Sequence, residues 1–331
     1  MGVIDMNSLL AKKLGRYHRR LHKFAFYFSH AGLELLPNFL LEKDYKNVLA
    51  DMEKLTDDKR VRILSRCDYY HRLNSSFYID NPDAYCGNFP RQKPSAYYYD
   101  LAPLLHYFPE NNGFYYEFGD VIHVPKVPSF VKSRPIMNQG NENSILLKLD
   151  SVRHFYVLPD HIPFKKKKSM LLWRGAAHQT HRLDFLERYH HLPRLDVACV
   201  HEKSRDKAYH GSYLTIPEQL EYKYILSIEG NDVATNLKWI FYSNSLCFMC
   251  RPRYETWLME GALEPNVHYV LLRDDYADIE EKLDYFESHP EAALDIIHNA
   301  QMWMQQFMDK DKERLLSLLV MEKYFRLSGQ L

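Results

Sequence analysis

Between residues 165 and 310, short apolar runs alternate with stretches in which apolar residues recur every three or four positions. Such runs predict buried strands, and the helical spacing predicts amphipathic helices. The predicted strands are Met170–Trp173, Leu195–Val200, Tyr224–Ile228, Leu246–Met249 and Val267–Leu272. The predicted helices include one starting at Thr180, Asp278–Phe286, Glu291–Met308 and Lys312–Phe325. This alternation predicts an α/β fold with a parallel sheet covered on both faces.

The loop after Tyr224–Ile228 is the most informative part of this pattern. Gly230 ends the strand, and Asn231 and Asp232 are good N-caps, so we predict that they start a helix running through Tyr242. Such a loop would lie at the carboxyl edge of the sheet, where open α/β sheets bind ligands and helix amides meet phosphate. The alternative is an ordinary turn without a ligand.

A second strand-to-helix junction follows Met170–Trp173. Arg174 there could pair with a diphosphate, because its guanidinium is always charged and binds oxygen pairs bidentately. Gly175 would let the backbone approach a ligand closely. The lysines of Lys165–Lys168, just before the strand, are predicted to form a solvated edge.

The first half of the chain begins with a polar, basic segment, Ser8–Leu41, that has a helical pattern. It is either a solvated helix packing one aromatic face, or a basic face that meets anionic lipid head groups or a phosphorylated glycan. Short helices are predicted near Asp44–Leu55 and over Asp57–Arg72.

Residues Asn74–Asp100 have a loop-like composition rich in tyrosine and amides. Aromatic faces suit carbohydrate, although tyrosines that pack a loop against a core would give the same pattern. The next strand, Phe114–Phe118, ends at Gly119-Asp120. An aspartate at that point is either a turn former or a general base that reaches a cleft.

An extended segment then carries Lys132, Ser133 and Arg134. Two cations and a hydroxyl in consecutive positions could hold phosphate or sugar hydroxyls. Pro159–Pro163 is the best candidate for an interdomain boundary, and Tyr254–Glu260 is predicted to be a helix.

Composition excludes several classes of protein. The 331 residues include 43 basic and 43 acidic ones, so no net field favours nucleic acid. No apolar run approaches the ~20 residues that span a bilayer, and the N-terminus lacks a secretory signal pattern. The five cysteines predict reduced thiols in a cytoplasm, and Cys247 and Cys250 read as buried small residues rather than a zinc or redox pair.

Several short motifs, in this order and spacing, resemble glycosyltransferase family 90, most closely its bacterial lipopolysaccharide core transferases. The similarity covers roughly residues 95–285 and no single motif carries it. The motifs are Tyr99-Asp100, Glu117-Phe118-Gly119-Asp120, Lys132-Ser133-Arg134-Pro135, Trp173-Arg174-Gly175, Lys223-Tyr224, Glu229-Gly230 and Lys238-Trp239.

The resemblance implies a GT-B-like α/β fold, in which two Rossmann-like domains face a cleft after a helical N-terminal region. The implied domains are an acceptor-side domain over residues 1–162, a nucleotide-sugar domain over 163–310, and a C-terminal helix over 311–331 that packs back on the first domain. It also implies a metal-independent, inverting sugar transfer.

By matching motifs, Asp120 is the expected catalytic base, and Arg174 and the loop Asn231–Asn236 are expected to bind the donor. Eukaryotic members carry Ser and Arg about where Ala234 and Asn236 stand, so Lys238 or Lys132 would replace the second cation. The expected donor-binding residues are Ser133, Arg134, Arg174, Gly175, Glu229, Gly230, Asn231, Asp232, Val233, Ala234, Thr235, Asn236 and Lys238. The expected acceptor-binding residues are Tyr99, Asp100 and Lys132.

The resemblance implies a cytoplasmic hexosyltransferase, with peripheral contact to the inner membrane as an open question. The donor would be UDP-glucose or UDP-galactose, the acceptor a hydroxyl of the lipopolysaccharide core, and no cofactor or nucleic acid would take part. Two alternatives stay open: a nucleotide-sugar hydrolase, and an inactive transferase fold that binds glycan. The hydrolase would need a metal cluster or nucleophile–base pair, and the sequence carries no HExxH, GxSxG or Walker motif.

Overall fold

The computed structural model describes residues 20–28, 46 and 49–331. The chain is a mixed α/β protein that divides into two compact units. The five-stranded unit contains residues 20–24, His154–Pro252 and Ala262–Gln306. The four-stranded unit contains the described residues from 25 to Arg153, together with Arg253–Gly261 and Phe307–Leu331. The three-part division at residues 162 and 310 stays a prediction.

The elements are numbered here in chain order. The strands are β1 (Ala84–Tyr85), β2 (Gly113–Glu117), β3 (Ser129–Val131), β4 (Arg134–Pro135), β5 (Ser144–Leu146), β6 (Lys168–Gly175), β7 (Leu195–Cys199), β8 (Tyr222–Leu226), β9 (Leu246–Met249), β10 (Tyr254–Glu255) and β11 (Val270–Leu271). The α-helices are α1 (Asp57–Tyr70), α2 (Ser95–Leu105), α3 (Ser151–His154), α4 (Thr180–Tyr189), α5 (Ile216–Gln219), α6 (Leu237–Phe241), α7 (Ile279–Ser288), α8 (Pro290–Gln305) and α9 (Lys310–Leu327). Short 3-10 helices cover Ala50–Lys54, Phe164–Lys166, Glu202–Ser204 and Glu260–Ala262.

The five-stranded unit is built on a parallel sheet with the order β11-β9-β8-β6-β7. Leu171, Leu172 and Trp173 of β6 are all buried, as expected for a central strand with apolar neighbours on both faces. The parallel sheet and the alternation of strands and helices predicted from the sequence are confirmed. Because parallel strands end at one edge, the loops after the neighbouring strands β6 and β8 lie at the same edge.

The four-stranded unit has the strand order β1-β2-β3-β5, in which β1 and β2 are antiparallel and the other pairs are parallel. Two side chains near the C-terminus form hydrogen bonds to the backbone of β2. The Tyr324 hydroxyl accepts from the Tyr115 N–H and donates to the Pro128 carbonyl, both at 3.1 Å. The Gln330 carboxamide binds the N–H and the carbonyl of Gly113 at 2.6 and 3.0 Å.

The predicted helix over Tyr254–Glu260 is wrong. Tyr254 and Glu255 form β10, which pairs antiparallel with β4. The reason is an ion pair between the strands, because a Glu255 carboxylate oxygen lies 2.7 Å from Nε of Arg134. A helix over these residues would remove the backbone pairing that brings the two charges together.

The solvated edge predicted for Lys165–Lys168 is wrong at one position. Lys167 is buried, and its amine lies 2.7 Å from the Asp160 carboxylate. It also donates to the Leu220 carbonyl. These contacts offset the cost of removing the charge from water.

The basic N-terminal helix predicted over Ser8–Leu41 lies mostly outside the described residues. Within this range the structure describes residues 20–28, and these are helical. In the helix predicted near Asp44–Leu55, residues 44, 45, 47 and 48 lie outside the described part of the chain, and Ala50–Lys54 forms a 3-10 helix. The next prediction, Asp57–Arg72, is confirmed as α1. Within the described part of the chain, we find no helix with the length and apolar character needed to cross a membrane.

Candidate active site

Asp120 lies three positions after the last residue of β2, just past a strand end as the sequence predicted. The preceding Gly119 has φ +115°, a conformation that side chains disfavour, and it lets the chain turn sharply after the strand. The Asp120 side chain is 28% exposed. A carboxylate that is partly open to solvent at a strand end can accept a proton from a bound hydroxyl.

A buried lysine holds the Asp120 carboxylate. Lys132 is only 2% exposed, and its Nζ lies 2.6 Å from Oδ1 of Asp120. The Lys132 amine also contacts the hydroxyl of buried Tyr97. Burial raises the pKa of Tyr97 to about 12, against the opposing effect of Lys132, so the phenol stays neutral at physiological pH. The acceptor contact expected for Lys132 stays a prediction.

Ser133 fixes the backbone after Asp120. Its hydroxyl accepts from the Val121 N–H and donates to the Val121 carbonyl, both at 3.1 Å. The side chain is fully buried in this arrangement. Ser133, predicted to bind the donor, thus serves in this structure to join two segments of the four-stranded unit.

Arg134 is buried completely, and its guanidinium binds groups within the four-stranded unit. Besides Glu255, it donates to the carbonyls of Tyr69, Tyr70 and Ser144 at 2.7, 3.2 and 3.0 Å. A charged group with so many internal partners stabilises the fold around β4 and β10. The donor contact expected for Arg134 stays a prediction.

Tyr99 and Asp100 lie within α2, so the loop predicted to extend to Asp100 ends earlier, at the start of this helix. Tyr99 is buried, and the Asp100 carboxylate accepts from the backbone N–H and the hydroxyl of Ser151 at 2.7 and 2.5 Å. Burial raises the pKa of Asp100 to about 7, although both hydrogen bonds oppose the rise. The acceptor contacts expected for this pair stay a prediction.

In the five-stranded unit, Arg174 stands near the end of β6 and binds the neighbouring strand β7. Its guanidinium donates to the Asp196 carboxylate and to the Asp196 and Trp173 carbonyls at 2.6 and 3.0 Å. Its Nε donates to the Ser212 carbonyl at 3.3 Å. Asp196 also accepts from the Tyr222 hydroxyl. A diphosphate that binds Arg174 would have to compete with the Asp196 carboxylate.

Gly175 is required by close packing. A Cβ at this position would lie 2.7 Å from the Trp173 indole ring, inside contact distance. The sequence analysis attributed this glycine to ligand approach, and the structure supplies a packing reason for it.

The prediction that Asn231 and Asp232 start a helix is wrong. The helix α6 begins at Leu237, and Asn236 occupies its N-cap position. The Asn236 carboxamide binds back to the end of β8, donating to the Leu226 carbonyl at 3.0 Å and lying 3.1 Å from the Ser227 hydroxyl. Residues 227–236 therefore form a loop, with a turn at Thr235 and Asn236 just before the helix.

Three side chains at the start of α4 hold this loop, and the sequence analysis missed all of them. Arg182 donates to the carbonyls of Ile228 and Glu229 at 2.7 and 2.8 Å and to that of Ala176 at 3.0 Å. His181 Nε2 lies 2.9 Å from the Glu229 carbonyl. Arg182 therefore joins the loops that follow β6 and β8. The helical position of these residues beside a loop was visible in the sequence, but their carbonyl partners were not.

The third of these side chains belongs to Gln179, which donates to the Asn231 carboxamide oxygen at 2.9 Å. Asn231 itself is exposed, and the loop residues around it differ in exposure. Among the expected donor-binding residues, Glu229, Gly230, Thr235 and Asn236 are half-buried, whereas Asp232, Val233, Ala234 and Lys238 are buried. The part of the loop that a ligand can reach directly is thus Glu229–Asn231 with Thr235 and Asn236.

Across residues 20–28, 46 and 49–331, no cluster of three or more histidine, cysteine or acidic side chains is arranged to hold a metal. Cys247 is buried within β9 and Cys250 is partly buried, and both thiols are free. In the four-stranded unit, Lys132 lies beside Asp120, and in the five-stranded unit Arg174 and Arg182 lie at one edge of the sheet.

Comparison with known proteins identifies the family. The model of the family described as Glycosyl transferase family 90 matches residues 153–328, which include Arg174 and the loop after β8. O-glucosyltransferase LpsA of Dichelobacter nodosus is 54% identical over 310 residues, covering 94% of this chain and 97% of that relative. Protein O-glucosyltransferase 2 of Danio rerio is 25% identical over 175 residues, covering 50% of this chain and 34% of that protein. The chain belongs to glycosyl transferase family 90 and is a glycosyltransferase.

Proposed function

We propose that this enzyme transfers a hexose from a UDP-sugar to a sugar hydroxyl of the lipopolysaccharide core, with inversion at the anomeric carbon and without a divalent metal. Both relatives described above are named as O-glucosyltransferases, so glucose is the first candidate and galactose the second. The resemblance of the motifs to lipopolysaccharide core transferases supports the acceptor. We also propose that the two units have a GT-B-like arrangement. We propose that the enzyme acts at the cytoplasmic face of the inner membrane.

The observation that carries the proposal is the Asp120 carboxylate, which is partly exposed at the end of β2 and held by Lys132. In the proposed step, the acceptor hydroxyl gives its proton to Asp120 while its oxygen forms a bond to the anomeric carbon. The bond from that carbon to the diphosphate oxygen breaks, and its electron pair leaves with UDP. Attack from the face opposite the leaving group inverts the configuration.

The leaving diphosphate needs positive charge, and the five-stranded unit offers Arg174 for it. The phosphate would replace the Asp196 carboxylate as the partner of the guanidinium. The Gly230 N–H already donates to the Asp232 carbonyl at 3.0 Å, so further donors would come from the backbone N–H groups near Asn231. Preorganised donors of this kind contribute a few kcal/mol each to stabilising developing charge. No divalent ion is needed for this account, because the cations come from the chain.

The test is a screen of UDP-glucose and UDP-galactose against lipopolysaccharides truncated at successive core sugars, in buffer containing EDTA. We expect one donor and one truncated core to give product. NMR of the product should show that the anomeric configuration is inverted relative to the donor. UDP binding should be unchanged by EDTA in calorimetry. Loss of transfer that only magnesium or manganese restores would contradict the metal-free mechanism, and a retained anomeric configuration would contradict the single displacement.

Hydrolysis of the donor at the same rate with and without acceptor would favour the hydrolase instead. The screen therefore separates the donor, the acceptor and the type of reaction in one set of measurements. Mass spectrometry of the acceptor distinguishes addition of a hexose from simple consumption of the nucleotide sugar.

A further inference from the structure

The ion pair between Lys132 and Asp120 is asymmetric in its exposure. The Lys132 side chain is 2% exposed, whereas that of Asp120 is 28% exposed. Burying an ammonium group is costly unless it is paired, and a buried pair often stabilises a fold no better than apolar residues would. The ion pair therefore calls for an explanation beyond stability.

The contacts of Lys132 and Ser133 converge on one short segment. Lys132 binds the side chain of Asp120, and the adjacent Ser133 binds both backbone groups of Val121. On its other side, the Lys132 amine contacts the Tyr97 hydroxyl. The chain between Gly119 and Val121 is thus fixed through its backbone and through the Asp120 carboxylate.

We propose that Lys132 is a positioning residue for the catalytic base. Its buried amine holds Oδ1 of Asp120, so that the carboxylate meets the acceptor hydroxyl in one orientation, and Tyr97 keeps the amine in place. This inference rests on the proposed role of Asp120. It assigns Lys132 to the acid–base machinery and not to the acceptor contact that its position in the sequence implied.

The first measurement is the kinetics of Lys132→Met, which keeps the length of the side chain and removes its charge. Misplacement of a reacting group by about 1 Å costs about 100-fold in rate, so kcat should fall about 10- to 100-fold. The KM for the acceptor should change less than about twofold. An unchanged kcat with a raised acceptor KM would show that Lys132 binds acceptor, and would overturn the inference.

The second measurement is a double-mutant cycle with Asp120→Asn. If Lys132 acts through the carboxylate, Lys132→Met should lower kcat by less than about twofold in the Asp120→Asn background, because the group it positions is already lost. The same loss in both backgrounds would mean a merely structural role for Lys132 and would overturn the inference.

Lys167→Met is the matched control, because Lys167 is also buried in an ion pair, with Asp160 at 2.7 Å, but belongs to the five-stranded unit. Its melting temperature should fall as that of Lys132→Met does, while kcat of the folded protein changes less than about twofold. Tyr97→Phe is a milder variant that keeps the ring and removes the hydroxyl. It should lower kcat by about 2- to 10-fold when Asp120 is present. In the Asp120→Asn background it should leave kcat unchanged.

The two levels of failure are distinguishable. If Asp120→Asn keeps near-native kcat, the proposed base is wrong. If Asp120→Asn abolishes transfer and neither Lys132→Met nor Tyr97→Phe lowers kcat, only the positioning role is wrong.

Discussion

The loop after β2 and the loop after β8 are held by different kinds of contact. The loop that carries Asp120 is held by side chains that follow it by 12 and 13 positions, Lys132 and Ser133. The loop after β8 is held through its own carbonyls, which accept from Arg182 and His181 of another element. At the first loop, Lys132 positions a charged side chain, that of Asp120. At the second loop, the contacts of Arg182 and His181 fix the path of the backbone.

This difference predicts different consequences of mutation. Changes at the first loop should affect the chemical step and leave donor binding intact, because Lys132 binds the Asp120 carboxylate and Ser133 binds the backbone of the next residue, Val121. Changes at the second loop should affect stability and donor affinity together, because the contacts shape the loop that we propose binds the donor. The predictions below follow from this distinction, and any one that fails would weaken it.

The largest effect is expected for Asp120→Asn, which keeps the size of the side chain but removes the proton acceptor. Transfer should fall by roughly 100- to 10,000-fold, the usual contribution of a positioned base. The affinity for UDP, measured by calorimetry, should hardly change, whereas the melting temperature should fall, because the buried Lys132 amine loses its charged partner. Near-native kcat in this variant, combined with loss of activity in Asp100→Asn, would exchange the roles of the two carboxylates.

Arg182→Ala should lower the free energy of unfolding by about 2–4 kcal/mol, because three backbone carbonyls lose a charged donor. Donor affinity should fall in the same variant while kcat at saturating donor changes little. The matched control is Arg188→Ala, an exposed arginine on the same helix, with an effect within about 0.5 kcal/mol. Equal denaturation midpoints for the two variants would argue against the role of Arg182.

Arg174→Ala should weaken binding of UDP more than binding of uridine, since the proposed partner is the diphosphate. The expected difference is about 1.5–3 kcal/mol, as for other charge-assisted contacts. Calorimetry with the two ligands measures it directly. Equal losses would mean that Arg174 serves only to bind Asp196 and the neighbouring strand.

Two glycines allow a smaller test of the same distinction. Gly175→Ala should destabilise the protein by about 1–3 kcal/mol, because the new Cβ meets the Trp173 ring at 2.7 Å. Gly119→Ala has open space around its Cβ but a φ of +115°, so its cost of about 1–2 kcal/mol comes from the backbone. A smaller residue at position 173 should relieve the first variant and leave the second unchanged in thermal denaturation.

The smallest effect is a pH dependence caused by Asp100. Burial raises its pKa to about 7, whereas an aspartate in an unfolded chain titrates near ~3.9. The folded state therefore binds the proton more tightly, and this contribution to stability is full below about pH 4 and lost as the pH rises through about 7. The stability of the native protein relative to Asp100→Asn should fall over that range. Parallel pH curves for the two proteins would contradict the raised pKa.

The sequence predicted the parallel sheet because short apolar runs alternate with segments of helical spacing. Residues of these runs, such as Leu171 and Phe248, are buried in the strands of the sheet. Local errors arose where a distant partner decided the conformation. Glu255 is in a strand because Arg134 is opposite it, and the helix α6 starts late because Asn236 binds back to β8. Neither partner can be read from neighbouring positions.

The same reason limits what the sequence predicts about contacts at the candidate site. Residue type and order located Asp120 and Arg174, but a lysine, a serine and an arginine in consecutive positions gave no sign of which would be buried. Lys132, Ser133 and Arg134 all proved to bind other parts of the protein. The donors at the start of α4 were missed because their acceptors are carbonyls, which every residue carries.

The hydrogen bonds from Tyr324 and Gln330 to the backbone of β2 have a consequence for biosynthesis. The strand that leads to Asp120 is translated about two hundred residues before these two side chains leave the ribosome. During that interval, Gly113 and Tyr115 lack the hydrogen bonds that α9 and the residues after it supply. Loop closure over such a separation is entropically costly and slow. The edge of the four-stranded unit that carries Asp120 is therefore completed late, after the five-stranded unit has been synthesised.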